Sequence, residues 1–209
     1  MVETMRKVDF KKELKGLYSP SSLKVAIVNV PAMNFLMVDG KGNPNTVQEY
    51  KDAIEALYAV SYVLKFLVKK GKEIDYGVMP LEGLWWVDDM TQFSVDNKDA
   101  WNWTSMIMQP EYITNDLIYK ALEQVRKKKN PTALTKLRFE NFHEGLAVQI
   151  MHVGPFSAEG PTIKRLHEFI KEKGYELGGK HHEIYLSDPR RSAPEKMKTV
   201  VRQPMSLAH

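Results

Sequence analysis

The stretch GVMPLEGLWW, residues 77–86, has the apolar and aromatic composition of a β-strand, yet it carries one carboxylate, Glu82. A second stretch, KHHEIYLSD at residues 180–188, has the same character and contains Glu183. Each glutamate comes at the same stage of the chain, on a predicted strand that follows a predicted helix. The match predicts that the chain contains two copies of one unit, with Glu82 and Glu183 as equivalent acids.

The order of predicted elements around these two stretches supports a duplication. Apolar residues at helical spacing predict helices at about 46–70 and 157–174, each after one strand and before two more. The predicted repeats span about 22–108 and 143–205, and a further helix at about 110–129 joins them. The pattern predicts an α+β fold of two β-α-β-β units, with pseudo-two-fold symmetry and antiparallel sheets meeting face to face around a central ligand groove.

Composition limits the class of protein. The 209 residues are 43% apolar and 27% charged with a net charge of +4, which is typical of a globular chain, and we predict one domain over 1–209. The chain has no cysteine, which excludes disulfides, thiolate nucleophiles and Cys-ligated zinc. We read no signal peptide and no membrane-spanning run, so we expect a cytoplasmic protein. The basic run at 126–130 favours a solvated helix C-terminus over nucleic-acid binding.

Two long segments, GLAVQIMHVGPFSAEGPTIKRLHEFIKEKGYE (145–176) and HHEIYLSDPRRSAPEKMKTVVRQP (181–204), resemble the GyrI-like small-molecule-binding family. The resemblance covers about residues 20–205, and YGVMPLEGLWW (76–86) is similar to a stand-alone subgroup without a DNA-binding domain. It implies a duplicated β-α-β-β fold, shared with multidrug-responsive regulators and SOUL proteins. It also implies binding of bulky, flat, often cationic compounds in an aromatic groove with a buried glutamate.

The resemblance further implies an activity, because the stand-alone subgroup is associated with hydrolysis of cyclopropane-bearing, DNA-alkylating natural products. We therefore expect a hydrolase that protects the cell from such xenobiotics. A non-catalytic module that sequesters drugs, or a ligand-sensing partner of another protein, stays open. The expected partner is a flat aromatic small molecule, with no direct nucleic acid or membrane contact; the oligomeric state stays open.

Three residues are the candidate catalytic groups. Glu183 matches the glutamate of the family, and Tyr185 shares its face because alternate residues of a strand point the same way. Either Glu183 or Glu82 would take a proton from water, and Tyr185 would donate a hydrogen bond to a carbonyl group of the ligand. The competing interpretation is that each acid lies on a solvent-facing strand surface.

Aromatic residues are the candidate walls of the groove. Four tryptophans fall within about 20 residues, which is more than a small core requires, and we favour Trp85 and Trp103 as ligand contacts. Tyr112, at the start of the second predicted helix, and Phe156, after a Gly-Pro turn, are further candidates. Ordinary packing is the alternative for each of these side chains.

No metal or cofactor is expected. His181, His182 and Glu183 are consecutive on a predicted strand, so their side chains alternate between faces and do not converge on one metal ion. His143 and His152 have no regular ligand spacing. The chain also lacks the glycine spacing of a nucleotide-binding loop.

Overall fold

The computed structural model describes residues 5–90, 93 and 97–207, so residues 1–4, 208 and 209 of the predicted domain lie outside the described part. Its centre is one large antiparallel sheet. The strands of its main path are β2 (Ala26–Val30), β3 (Met33–Lys41), β5 (Leu81–Trp86), β6 (Asn102–Gln109), β7 (Arg138–Phe142), β8 (Gly145–Val153), β10 (His181–Tyr185) and β11 (Lys198–Leu207). Short strand β9 (Tyr175–Leu177) pairs with β11, and β1 (Arg6–Val8) forms a separate parallel pair with β4 (Ile74–Tyr76).

The strand order β2-β8-β11-β10-β5-β6-β3-β7 reads as two halves with matched positions. Strands β10 and β5 pair at the centre, with His181 opposite Trp85 and Tyr185 opposite Leu81. The predicted α+β class is confirmed, but the face-to-face arrangement is wrong: the two halves join edge to edge into one sheet. The unpaired edges of β5 and β10 satisfy each other's backbone groups, which a face-to-face contact would leave exposed.

Both long helices of the repeats cover the same side of the sheet, which we call the helix face. Helix α3 (Gln48–Lys72) buries Leu57, Leu64 and other residues at helical spacing, and its Ser61 accepts a hydrogen bond from Gln109 of β6. Helix α5 (Gly160–Glu172) brings Thr162 to 2.9 Å from His152 of β8. The space over β5 and β10 therefore lies between α3 and α5.

The opposite side of the sheet, the back face, is covered near its centre by the N-terminal part of the chain. Two single-turn helices, α1 (Phe10–Glu13) and α2 (Lys15–Tyr18), precede β2. Buried Tyr18 reaches the central strands, where its hydroxyl group donates to Glu82 at 2.7 Å. The N-terminal segment is thereby tied to the back of the sheet.

The helix between the repeats is shorter than predicted. Helix α4 (Asn115–Lys128) begins after Thr114, whose hydroxyl oxygen accepts the Leu117 N–H as an N-cap. The predicted start at Pro110 is therefore wrong, and Tyr112 lies in the turn that precedes the helix. None of the helices in the described ranges has the length and apolarity needed to cross a membrane.

Candidate ligand site around Glu183

The site is built on β10, whose alternation places His181, Glu183 and Tyr185 together on the helix face. The Glu183 carboxylate is held at both oxygens. His181 Nε2 lies 3.1 Å from Oε1, and the Tyr185 hydroxyl group donates to Oε2 at 2.8 Å. Because a carboxylate only accepts hydrogen bonds, Nε2 of His181 carries the proton in this contact. The predicted pairing of Glu183 with Tyr185 is present in the structure.

A hydrogen-bonded chain leads from an indole group to the carboxylate. Trp85 Nε1 donates to the Tyr185 hydroxyl oxygen at 3.1 Å, and that hydroxyl group donates onward to Glu183. Gly83 faces Glu183 across the strand pair, and a Cβ atom at this position would lie 2.7 Å from Trp85 Nε1. The glycine therefore leaves the space that the Trp85 indole ring occupies.

A second carboxyl group, Glu159, completes the site and was missed by the sequence reasoning. It directly precedes helix α5, is 4% exposed, and lies close enough to Glu183 and Thr199 for both to shift its pKa. An acid just before a helix is common as a partner of the helix dipole, so nothing in the sequence distinguished Glu159 from such an acid. Its closeness to Glu183 depends on how α5 packs against β10 and β11.

The pKa values of the two carboxyl groups are shifted in opposite directions. Burial alone would raise the pKa of Glu183, but the hydrogen bonds of His181 and Tyr185, and the charge of His181, hold this pKa below its ordinary value. Burial and the negative charge of Glu183 raise the pKa of Glu159 to about 9. Near neutral pH, Glu183 is therefore a carboxylate and Glu159 a protonated acid. Such a divergence between neighbouring acids is typical of acid–base sites.

Five buried polar atoms on the helix face near these acids have no hydrogen-bond partner within the described part of the chain. These atoms are Glu159 Oε1, His181 Nδ1, Thr199 Oγ1, Ser105 Oγ and Trp103 Nε1. An unsatisfied buried polar atom costs about 1–3 kcal/mol, so native proteins keep few of them without a reason. Their concentration here indicates a place where a ligand or water supplies the missing partners.

Aromatic rings enclose the acids on the α3 side. Tyr50 of α3 lies 5.7 Å from Trp85 and 5.1 Å from Trp103 between ring centroids. Trp101 packs against Trp85 at 5.2 Å and is stacked on Phe93 at 5.1 Å. These contacts form one continuous aromatic wall.

The α5 side is closed by Phe156, whose ring stands edge-on to Tyr185 at 5.5 Å. Phe156 is 39% exposed, whereas the Glu183 side chain keeps only 11% of its surface exposed. Two clefts, of about 420 and 390 Å³, lie elsewhere, beside Arg165 and on the back face beside Glu144. A bulky ligand must therefore displace part of the aromatic cover to reach Glu183.

The predicted aromatic contacts fall in two places. Trp85, Trp103 and Phe156 belong to the surroundings of Glu183. Tyr112 instead packs against Phe10 and Tyr76, at centroid distances of 6.3 and 5.9 Å, in a cluster with the N-terminal segment.

Glu82 is separated from the site by the sheet. Ile184 faces Glu82 across the strand pair and Gly83 faces Glu183, so the two glutamates point to opposite faces. The predicted equivalence of Glu82 and Glu183 is therefore wrong by one residue. The residue of β5 that matches Glu183 is Gly83. Glu82 is fully buried on the back face, so the surface interpretation does not apply to it.

Glu82 belongs to a network of paired charges. It accepts from Tyr18 at 2.7 Å and from His182 Nε2 at 2.9 Å, while His182 Nδ1 bonds Glu144 at 2.9 Å. Arg202 donates to the second oxygen of Glu144, also at 2.9 Å. Burial lowers the pKa of His182, but the charge and hydrogen bonds of Glu144, with the bond to Glu82, outweigh it and raise this pKa to about 9. His182 is therefore an imidazolium ion between two acids.

Among the described residues, no three His, Cys, Asp or Glu side chains form a group that could hold a metal ion. His181 and His182 point to opposite faces, as consecutive strand residues do.

Comparison with solved structures supports the fold and defines the class of protein. A conserved protein of Listeria innocua is 45% identical, with a TM-score of 0.88 over 95% of this chain and all of its own. A hydrolase from Listeria innocua is 43% identical, with a TM-score of 0.82 over 95% of this chain and 100% of its own. The C-terminal domain of EcmrR, 11% identical with a TM-score of 0.55 over 88% of this chain and 98% of its own, shares the fold alone. No curated protein matches the chain significantly.

The class is a small-molecule-binding domain on a duplicated α+β fold. The model of the GyrI-like small-molecule-binding domain matches residues 23–204, and the chain belongs to this family.

Proposed function

We propose that the protein binds flat aromatic small molecules around Glu183 and hydrolyses those that carry a strained, electrophilic ring, such as a cyclopropane conjugated to a dienone. The observation that carries the proposal is a buried, ionised Glu183 carboxylate enclosed by aromatic rings and accompanied by the protonated Glu159. The name hydrolase, given to a relative that is 43% identical over nearly the whole chain, supports catalysis.

The aromatic wall supplies binding and orientation. The ring of Trp85 lies 5.7 Å from that of Tyr50 and 5.2 Å from that of Trp101, and the three rings offer faces and edges to a planar ligand. Fixing the ligand beside the carboxylate turns attack by a nearby water into an effectively unimolecular step. A strained ring needs little further activation, so positioning accounts for much of the proposed rate enhancement.

Glu183 acts as the base in the proposed reaction. Water attacks a cyclopropane carbon, a C–O bond forms, and the strained C–C bond breaks as its electron pair moves into the dienone to give a phenolate. Glu183 takes the proton of the attacking water. Burial, together with the negative charge of Glu183, raises the pKa of Tyr185 well above its ordinary value, so Tyr185 keeps its proton and donates its one hydrogen bond to Glu183. The phenolate then takes up a proton, which completes the addition of one water molecule.

The test is product formation by purified protein. The wild type should convert a cyclopropane-bearing alkylator into a product heavier by one water, detected by mass spectrometry. Glu183→Gln should lower turnover by about 100- to 10,000-fold, the range expected for loss of a general base. The matched control is Glu168→Gln, an exposed acid of α5 paired with Lys164, which should keep wild-type turnover. Equal turnover in Glu183→Gln and wild type would refute the carboxylate mechanism.

A non-catalytic binding module is the second candidate. Both oxygens of Glu183 already accept hydrogen bonds, from His181 and Tyr185, which favours a charge held for ligand recognition over a base free to accept a proton. Saturable binding of the same compound without any hydrated product would identify this function. Purified protein serves both measurements.

A further inference from the structure

We propose that Glu159 and Glu183 form one carboxyl pair that holds a single proton, and that binding of a cationic ligand releases this proton to solvent. The site would thereby accept neutral and cationic flat ligands of the same shape. The inference rests on the proposed function in one respect, that ligands bind beside Glu183.

The geometry of the pair comes from two separate elements. Glu159 is supplied by the segment that enters α5, and Glu183 by the middle of β10. Each carboxyl group is close enough to shift the pKa of the other, and the residues are only 4% and 9% exposed. Two carboxylates in contact inside an enclosed site repel strongly, so one of them retains a proton at neutral pH.

The partners decide which acid keeps the proton. Glu183 receives two hydrogen bonds, from His181 and Tyr185, and these stabilise its charged form. Glu159 Oε1 is buried without a partner within the described ranges. The negative charge is therefore placed on Glu183 and the proton on Glu159, in agreement with the burial and charge effects that raise the pKa of Glu159 to about 9.

Other titratable groups around the pair come from every element that packs against it. They do not change the assignment of the charge to Glu183 and of the proton to Glu159. They are Tyr50 of α3, Lys98 of the turn before β6, His152 of β8, His167 of α5, and His181 and Tyr185 of β10. The Lys98 charge lowers the pKa of Glu159, but this effect is smaller than those of burial and Glu183. The pair therefore holds one proton in the free protein.

A bound cation changes this balance. Its positive charge stabilises a second carboxylate, so the reaction is the exchange of one ligand cation for one proton: the O–H bond of Glu159 breaks, and the proton leaves to the buffer. A neutral ligand offers no such charge, so Glu159 keeps its proton. In both cases the pair and its ligand together carry one negative charge, so either kind of ligand leaves the net charge of the enclosed site unchanged.

Isothermal titration calorimetry in phosphate and in Tris tests the exchange, because the two buffers differ in ionisation enthalpy. The probes are N-methylacridinium, a permanent cation, and N-methylacridone, a neutral ring system of similar shape. We expect release of about one proton per N-methylacridinium at about pH 7.5, and an affinity that rises roughly tenfold per pH unit between about pH 6.5 and 8.5. N-methylacridone should release no proton and bind with an affinity independent of pH.

Two variants locate the proton. Glu159→Gln should abolish proton release by N-methylacridinium and flatten its pH profile, whereas Glu168→Gln, on the exposed side of α5, should release a proton as the wild type does. Infrared difference spectroscopy of the wild type gives a second readout: the protonated carboxyl band should disappear when N-methylacridinium binds.

Several outcomes would overturn the inference. Tight binding of N-methylacridinium to the wild type without proton release, or with a protonated carboxyl band that persists, would refute the shared proton and leave the proposed function standing. Proton release that survives Glu159→Gln would assign the proton to another group. Failure of both probes to bind would overturn the inference and the proposed binding function together.

Discussion

The two faces of the central strand pair carry similar polar residues. Those of the back face are paired by hydrogen bonds, whereas several polar atoms of the helix face have no partner within the described residues. On the back face, Glu82, His182, Glu144 and Arg202 are buried and joined by hydrogen bonds of 2.9 Å, with two acids set against two cations. On the helix face, Glu159 and Glu183 are accompanied by buried polar atoms without partners within the described residues. A buried acid by itself is therefore weak evidence for a ligand site, whereas buried polar atoms without hydrogen-bond partners around the acid are stronger evidence.

The largest expected effect comes from disrupting the network of paired charges on the back face. Arg202→Met should lower the free energy of unfolding by about 3–5 kcal/mol, because it leaves the buried carboxylate of Glu144 without one of its two cationic partners. Urea denaturation measures the loss. Lys164→Met, which removes an exposed ion pair with Glu168, should change stability by less than about 0.5 kcal/mol. Similar small losses in both variants would show that the network does not stabilise the fold.

The pH dependence of stability should come next. The pKa of His182 is about 9 in the folded protein against an ordinary value of 6.5, so its contribution is complete below about pH 6.5 and disappears as pH rises through 9. The shift corresponds to about 3 kcal/mol between about pH 6 and 10. The measurement uses the Glu159→Gln background, since Glu159 also has a raised pKa. Adding His182→Gln should remove this slope; a slope that persists would point to another group.

On the helix face, replacing a buried charged-type residue should stabilise the protein, whereas on the back face it should destabilise it. Glu159→Gln should raise stability at about pH 6 by about 2 kcal/mol. The reason is that the folded protein keeps Glu159 protonated up to a pKa of about 9, while the unfolded chain ionises it near 4.5, so folding at neutral pH must take up a proton. Thermal unfolding at about pH 4 and 6 checks this, since the gain should vanish at the lower pH. A destabilised Glu159→Gln protein would contradict it.

The smallest expected change concerns Gly83, which lies at the position of the first repeat that matches Glu183. Gly83→Ala should cost about 1–2 kcal/mol, because the new Cβ would meet the Trp85 indole ring at 2.7–3.0 Å and force it away from Tyr185. Tryptophan fluorescence should change along with ligand affinity. Gly71→Ala, where a Cβ atom meets nothing within 4 Å, is the matched control and should preserve both signals. An unchanged Trp85 signal in Gly83→Ala would show that the ring tolerates the methyl group.

Much of the fold could be predicted from the sequence. Helical spacing gave α3 and α5 within a few residues of their observed bounds, since each helix must bury one stripe of apolar side chains. The duplication was visible because both units repeat the same order of elements. The start of α4 was predicted too early, since the N-cap Thr114 is a local signal that the proline at position 110 obscured.

The candidate site was predicted in part. Glu183 and Tyr185 could be placed together because strand alternation is a local rule, and they share a hydrogen bond. Glu159 could not be found, because its distance from Glu183 depends on packing between α5 and the sheet. Glu82 was matched to Glu183 because sequence similarity does not define register, and a shift of one residue moves a side chain to the other face.

The sequence by itself determined the family and the duplicated α+β elements, since these depend on local periodicity and on motifs spread over most of the chain. Only the tertiary structure decided that the two halves join along β5 and β10, that Glu82 is paired behind the sheet, and that Glu159 lies against Glu183. The physical reason is that strand register and helix packing bring together residues that are distant in the chain. Charge pairing and desolvation then assign one glutamate to the fold and the other to the candidate site.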